Sequence, residues 1–362
     1  MQPGLLDPSR FEGRVQGRDV RLITLKSDRL QASWCNHGAR LLQLCVPDRT
    51  GVWRDVVLGY DHLQQMLDGM PSMGAFVGRF ANRIGNSSFI YRGQQFHLPA
   101  NDGLHCLHGG PGGSRHQVFE ILDLNPNQVV MAWRFLSSVD GFPGDVELKV
   151  AYALHGATMT VEYQAEVKLQ PTPLNFTVHP FFNLNGDPRQ SILDHRLEIF
   201  SDHFLPVDRQ RIPLGYFESV SDTPFDFRSP KTIGQSLRHD HEQLGWGAVP
   251  GFDHAWLTPG VAGELQLQAR LSSDTSGICM EVWSDAPSIQ FYSGMAMDGS
   301  LPRHAGKMQA AYQQYAGLCL EPQSLPDAPN RSNFGACFFA PGEKHSGRME
   351  FRFFSDGLNT LG

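Results

Sequence analysis

The sequence has no apolar run approaching the ~18 residues that cross a bilayer as a helix, so no membrane span is expected. It has no Cys-x-x-Cys pair either. Its six cysteines, Cys35, Cys45, Cys106, Cys279, Cys319 and Cys337, stand far apart and mostly in apolar context, the pattern of buried thiols in a reducing compartment. The opening MQPGLLDPSRFEGR lacks a basic region followed by an apolar core and does not resemble a secretory signal. These features together predict a cytoplasmic protein. Basic residues are scattered and the formal net charge is −7, which argues against nucleic acid or an anionic membrane as a partner. No fixed-period repeat, low-complexity tract or charge run divides the chain. Residues 16–362 are therefore expected to form one domain after a loosely held lead-in, residues 1–15.

Turn formers are plentiful. The 37 glycines and 24 prolines amount to about 17% of the chain against an average nearer ~12%, and few long amphipathic runs accompany them. Many short strands are the expected result. Alternation is visible over 21–25, 30–35 and 40–46, separated by the turn-like Ser27-Asp28 and Asn36-His37-Gly38. A short helix is predicted over 61–66, with Asp61 as its N-cap and Gly69 as its limit. Strands follow over 118–168, the strongest at 158–167, and again over 265–271, 277–283, 288–292 and 315–320. Residues 200–230 read as an extended crossing stiffened by Pro206, Pro213 and Pro224.

The most informative stretch runs from Gly74 to Gly110. Its middle, 88–91 and 95–98, is split by Arg92-Gly93, a two-residue turn that closes a hairpin and brings its two ends together. Arg83 and His108 can then face one pocket. Arginine offers a fixed fork of donors, and histidine donates or accepts at neutral pH, so the pair suits a polyhydroxylated ligand. The Gly-rich Pro111–Arg115 lacks the Gly-Lys-Ser/Thr ending of a phosphate loop and is expected to be a flexible rim. His179 lies among aromatics and before Pro180, where burial disfavours the imidazolium and a neighbouring carboxylate favours it. Asp253 follows Gly251-Phe252 and is either a ligand acceptor or a turn residue. Glu321 ends an apolar run; partial burial there raises its pKa towards neutrality and makes it a usable base. His105-x-x-His108 is the one histidine spacing that suggests a metal, but it lies in a Gly-rich loop without a third ligand at customary spacing. No metal is expected.

Seven stretches, VGRFANRI, LHGG, NFTVHPFFNL, PVDRQRIPLG with TPFDFRSPKTIG, GFDHAW, IQFYSG and LCLEPQSLPDAPN, together resemble the aldose 1-epimerase (galactose mutarotase) family, in the family's order and across nearly the whole domain. The resemblance implies an all-β fold, a single large antiparallel β-sandwich with few short helices and a sugar site in a cleft. It implies interconversion of the α and β anomers of a free aldose, with a monosaccharide as partner and no cofactor. It places the catalytic pair on Glu321, as base, and His179, as acid. Sugar binding falls on Asn82, Arg83, His108, Asp253 and Gln290. The sequence departs from the family at Val178 and Phe181, where Asn and Tyr are usual, and at Pro322, where Thr is usual. Two alternatives stay open: a non-catalytic sugar-binding or regulatory module, and an epimerase of phosphorylated hexoses. The latter needs further arginines or lysines around the cleft, for which Arg79, Arg115 and Arg331 are candidates. The preferred aldose and the oligomeric state are not legible.

Overall fold

The alternation over 158–167 becomes, in the computed structural model, the strand Thr158–Lys168, paired antiparallel with Asp145–His155 along its whole length. Residues 4–261 and 263–355 are described. Met159, Val161, Ala165 and Val167 are buried while Glu162 and Gln164 are exposed, as a pleated strand with one dry face requires. The connecting turn is Gly156-Ala157, with Gly156 at φ 54, the positive value that two-residue hairpin turns demand.

These two strands lie within a nine-stranded antiparallel sheet. Its order is Glu120–Asn125, Gln128–Phe135, Asp145–His155, Thr158–Lys168, Lys344–Ser355, Ile278–Ser284, Gln266–Ser272, Arg196–Ile199 and Lys231–Thr232. Two smaller antiparallel sheets of more than two strands accompany it, together with several two-stranded pairings. One has four strands, Leu22–Lys26, Gln31–Cys35, Arg40–Pro47 and Trp53–Asp55. The other has five, ordered Glu218–Ser219, His203–Leu205, Asp253–Leu257, Ser288–Tyr292 and Cys319–Gln323. Trp34 and Leu44 from the first, Leu148 and Val150 from the large sheet, and Trp256, Phe291 and Leu320 from the third join one continuous apolar cluster, so all three sheets share a core. Burying each such side chain contributes about 1.5–3 kcal/mol, which is what holds the layers together. The architecture is the expected all-β sandwich. Only short helices interrupt it, and no helix among the described residues is long and apolar enough to cross a membrane.

Several local expectations change. The helix is Leu63–Asp68, capped by His62, whose Nδ1 accepts the Gln65 N–H, rather than by Asp61. Asp61 instead accepts the Met308 N–H, a long-range contact that competes with capping. Gly69 ends the helix as predicted. Pro111–Arg115 is no flexible rim: Ser114 is buried and donates to the Phe76 carbonyl, and Arg115 is buried against Ser72 and Leu107. The strand expected at 315–320 is Cys319–Gln323, which puts Glu321 mid-strand instead of at its end. Near the N-terminus, Asp7 caps a turn over Pro8–Phe11, and Phe11 packs fully buried with Val20, Leu42 and Tyr60. The chain is thus held by packing well before residue 15. Residues 1–3 of the expected lead-in and 356–362 of the expected domain lie outside the described residues.

Candidate active site

Strand pairing in the five-stranded sheet assembles one wall of the site. Gln290 is the cross-strand partner of Glu321 and of Ala255, and Tyr292 pairs with both Asp253 and Cys319. Alternation then puts Asp253, Gln290, Tyr292, Cys319 and Glu321 on one face. Pro322 points the other way, and its missing N–H is tolerated because Cys319–Gln323 is the last strand of that sheet.

His179 arrives from a different element. It follows Thr177–Val178, which pairs with Phe76–Val77, and its backbone is fixed on both sides: its N–H donates to Ala75 and its carbonyl accepts from Gly74. The imidazole Nε2 lies 3.4 Å from Glu321 Oε1, and Nδ1 lies 3.3 Å from Cys319 Sγ. Phe181 stacks on the ring at 5.2 Å between centroids, and His108 meets it edge-on at 5.3 Å. Of the two substitutions flanking His179, Phe181 therefore shapes the site, whereas Val178 belongs to the core.

The hairpin of 74–110 forms as expected, with Ser88–Tyr91 against Gln94–His97 and both turn residues at positive φ, Arg92 at 50 and Gly93 at 81. Just outside it, Arg83–Ile84 pairs with Cys106–Leu107. Asn82 and His108 adopt left-handed backbones, φ 64 and 56, and lock together: the Asn82 N–H donates to His108 Nδ1 at 3.1 Å. That bond leaves the proton of the neutral ring on Nε2, free to donate. The glycine after His108 is required. Gly109 sits at φ 77, and a Cβ there would come within 2.4 Å of the Gly78 carbonyl.

Arg83 donates from Nε to Asp102 at 2.7 Å and approaches Asp253 with Nη1 at 3.5 Å. Asp253 also receives Arg211 Nε at 3.2 Å and Gln290 Nε2 at 2.7 Å. Asn82, Arg83, His108, His179, Asp253 and Glu321 all line one cavity of about 240 Å³, closed further by Phe181, Tyr292, Arg211 and Arg303. Gln290 does not line it; it lies beneath Asp253 and orients that carboxylate.

Burial sets the protonation states. Glu321 is 2% exposed, and burial, reinforced by the Asp253 charge, pushes its carboxyl well above the usual range against the pull of Arg83. Burial takes His179 down to about 4, and His108 well below the ordinary imidazole value with help from Arg115. Asp253 is half-buried, and its desolvation alone would raise it, but Arg83, Arg211 and the Gln290 bond outweigh that and hold it low. The wall therefore sets Asp253, held towards its ionised form, beside a carboxyl and an imidazole whose charged forms are both disfavoured by burial.

The suggested metal pair does not assemble. His105 turns away from the cavity, accepting the Asn86 N–H on Nδ1 and meeting Gln210 Oε1 on Nε2 at 2.5 Å. His179, Cys319 and Glu321 do bring donor atoms within 4.8 Å of one another. Burial drives the Cys319 thiol well above its ordinary value, which disfavours the thiolate that a metal would need. Sequence reasoning missed Asp102, Arg211 and Arg303. Arg211 was visible inside PVDRQRIPLG, but nothing in one strand of sequence says that this turn folds over Asp253. Of the arginines singled out in the sequence, Arg79 is buried against Asp140 and Arg331 pairs with Asp327, both away from the cavity.

The chain is similar to known proteins along most of its length. The sequence profile of the aldose 1-epimerase family matches residues 21–352. The galactose mutarotase of Bos taurus is 38% identical over 334 residues, covering 92% of this chain and 94% of the relative. The aldose 1-epimerase of Escherichia coli K12 is 34% identical over 344 residues, covering 94% and 97%. Among solved structures, an aldose epimerase homologue from C. elegans superposes with a TM-score of 0.84 at 31% identity, covering 92% of this chain and 98% of that one.

Proposed function

The chain belongs to the aldose 1-epimerase family and is an isomerase that interconverts the anomers of an aldose, and we propose that Glu321 and His179 carry the two proton transfers of that reaction. The observation that carries the assignment is the 3.4 Å approach of His179 Nε2 to Glu321 Oε1 at the bottom of a cavity lined with hydroxyl-binding groups.

Opening a cyclic hemiacetal needs a base for the C1 hydroxyl and an acid for the ring oxygen. Glu321 as carboxylate takes the C1 proton while His179 as imidazolium protonates the ring oxygen, and the ring opens to the aldehyde. Rotation about C1–C2 presents the other carbonyl face. Closure then runs the transfers backwards, with Glu321 returning a proton to the C1 oxygen and His179 accepting one. The pair begins and ends with one proton. Moving it from Glu321 to His179 makes the reactive form, so a buried, net-neutral pair serves both directions equally. No group outside the chain is called for by these steps.

His108 Nε2–H and the Arg83 fork donate to ring or hydroxyl oxygens, Asn82 fixes both of them, and Asp253, steadied by Gln290, accepts from hydroxyls remote from C1. Phe181 and Tyr292 supply flat apolar walls for a sugar face. A monosaccharide is the partner, and the buried thiols Cys35, Cys45, Cys106, Cys319 and Cys337 are in keeping with a cytoplasmic location. Polarimetry on freshly dissolved α-D-galactose, α-D-glucose and a pentose tests the function. A catalysed approach to the equilibrium rotation is expected for at least one. Rates equal to the spontaneous ones for all three would leave a sugar-binding module.

A further inference from the structure

Five arginines surround a site that contains two aspartates. Arg83, Arg211 and Arg303 line the cavity, and Arg40 and Arg115 lie directly behind its wall. Arg115 donates to Ser72 Oγ at 2.8 Å and to the Leu107 carbonyl at 3.2 Å, both on residues of the cavity lining. Arg40 is 1% exposed and is held by the carbonyls of Pro71, Met73 and Arg115. Asp102 and Asp253 answer Arg83 and Arg211. Arg40, Arg115 and Arg303 make no ion pair among the described residues. This concentration of positive charge stands in a chain whose net charge is −7, so it is local and not a reflection of the whole surface.

Arg211 is built into place. The turn that carries it is closed by Asp208, whose N–H donates to the Ile212 carbonyl and whose Oδ1 accepts the N–H of both Gln210 and Ile212. Arg211 itself takes a left-handed backbone, φ 64, an unfavourable conformation for a residue with a Cβ. Gln210 pins the turn to His105, beside the loop that carries His108. The strand of Asp253 is two strand spacings from that of Glu321, ~10 Å along the sheet. Arg211 and Asp253 therefore address the end of a pyranose opposite the reacting carbon.

We propose that the aldose taken by this site carries an anionic group, a carboxylate or a phosphate, remote from C1, and that Arg211 and Arg303 bind it directly. The proposal rests on the reading that Glu321 and His179 mark the C1 end. C1 must bear a free hydroxyl for the ring to open, so the anion cannot be there. A planar fork of donors suits both carboxylate and phosphate oxygens. Asp253 remains the acceptor for neutral hydroxyls, while Arg303 brings a cation that no protein carboxylate has already engaged. Arg40 and Arg115 add field from behind the wall without touching the sugar.

The test compares α-D-galactose, α-D-galacturonate and α-D-galactose 6-phosphate by polarimetry, each corrected for its uncatalysed rate. At low ionic strength, kcat/KM is expected to be at least ~10-fold higher for one of the two anions than for galactose, and that advantage should shrink as salt approaches about 0.3 M. Whichever anion wins identifies the carboxylate or the phosphate as the natural group. Arg211→Leu and Arg303→Gln should each lower the anion-to-neutral ratio by ~10-fold, a readout that general loss of activity does not move. A wild-type ratio of one or less, or a ratio unchanged by both substitutions, overturns the proposal. If no sugar is turned over, the assignment of the C1 end fails instead. Equilibrium binding of 1,5-anhydro-D-galactitol and its 6-phosphate, which cannot ring-open, then decides whether the site prefers an anion.

Discussion

His179 Nε2 and Glu321 Oε1 lie 3.4 Å apart although Glu321 belongs to the five-stranded sheet and His179 follows a separate two-stranded pairing, and neither group is free to hold its ordinary charge. Burial lowers the imidazole to about 4 and raises the carboxyl well above its normal value. Over the interval between, the pair holds one proton. Activity should accordingly be bell-shaped in pH, and the limbs belong to the pair as a unit. The acid limb, where a second proton is gained, should lie below the ordinary imidazole range, because burial resists a charged ring. The alkaline limb, where the last proton is lost, should lie well above a free carboxylate, because burial also resists the carboxylate. His179→Asn should remove most activity and, in what remains, the alkaline limb, because the remaining base, Glu321, has only to lose its proton. An Asn variant with wild-type rate and both limbs would reduce His179 to a core histidine.

Gln290 is placed to act through Asp253. Its Nε2 donates to Asp253 Oδ1 at 2.7 Å, and hydrogen bonds to charged groups contribute about 1.5–3 kcal/mol. Gln290→Leu should raise KM by ~10-fold or more while kcat changes less, because the acid–base pair is intact. Steady-state kinetics showing the opposite split would place Gln290 in the chemistry.

Stability should decline on the acid side of neutrality. Seven buried or half-buried histidines are held below the ordinary imidazole value by desolvation: His37, His195 and His254 at about 3, His116, His179 and His345 at about 4, and His108 well below 6.5. Between pH 6.5 and 4 the unfolded chain binds protons that the folded chain refuses, so unfolding free energy falls as pH falls. Asp140, raised to about 6 by burial, and Glu321 oppose this, but they are fewer. Urea midpoints measured from about pH 7 down to about pH 4.5 should drop steadily. A flat or rising series would contradict the burial of these rings as neutral species.

Removal of divalent metals should leave turnover unchanged, since the proposed transfers use only a carboxyl and an imidazole. Dialysis against a chelator followed by polarimetry checks this. Activity lost on chelation and restored by one added metal would bring His179, Cys319 and Glu321 back as ligands.

Much of this is legible in the sequence because it is written in local pattern. Period-two alternation marks 158–167, and Arg92-Gly93 marks the hairpin that brings Asn82 and Arg83 to His108. What stays hidden depends on pairing between distant strands. Glu321 reads as the end of a strand because Pro322 follows it, yet an edge strand tolerates proline and the ladder continues to Gln323. Arg115 reads as part of a mobile glycine loop, but Ser114 and Arg115 are tied down by groups from 72–78. Arg211 and Arg303 reach the cavity only through long-range folding, which no spacing rule records.

The central claim is that Glu321 exchanges a proton with the sugar, and Glu321→Gln tests it most directly. The amide keeps the shape and hydrogen bonding of the carboxyl without its acid–base chemistry. Paired measurements are needed: polarimetry for turnover and titration calorimetry for sugar binding. Turnover should fall by ~10²–10⁴-fold, the usual contribution of a positioned general base, while sugar affinity stays within a few-fold of wild type. A Gln variant that turns over its aldose at close to the wild-type rate would contradict the account and move the base elsewhere in the site.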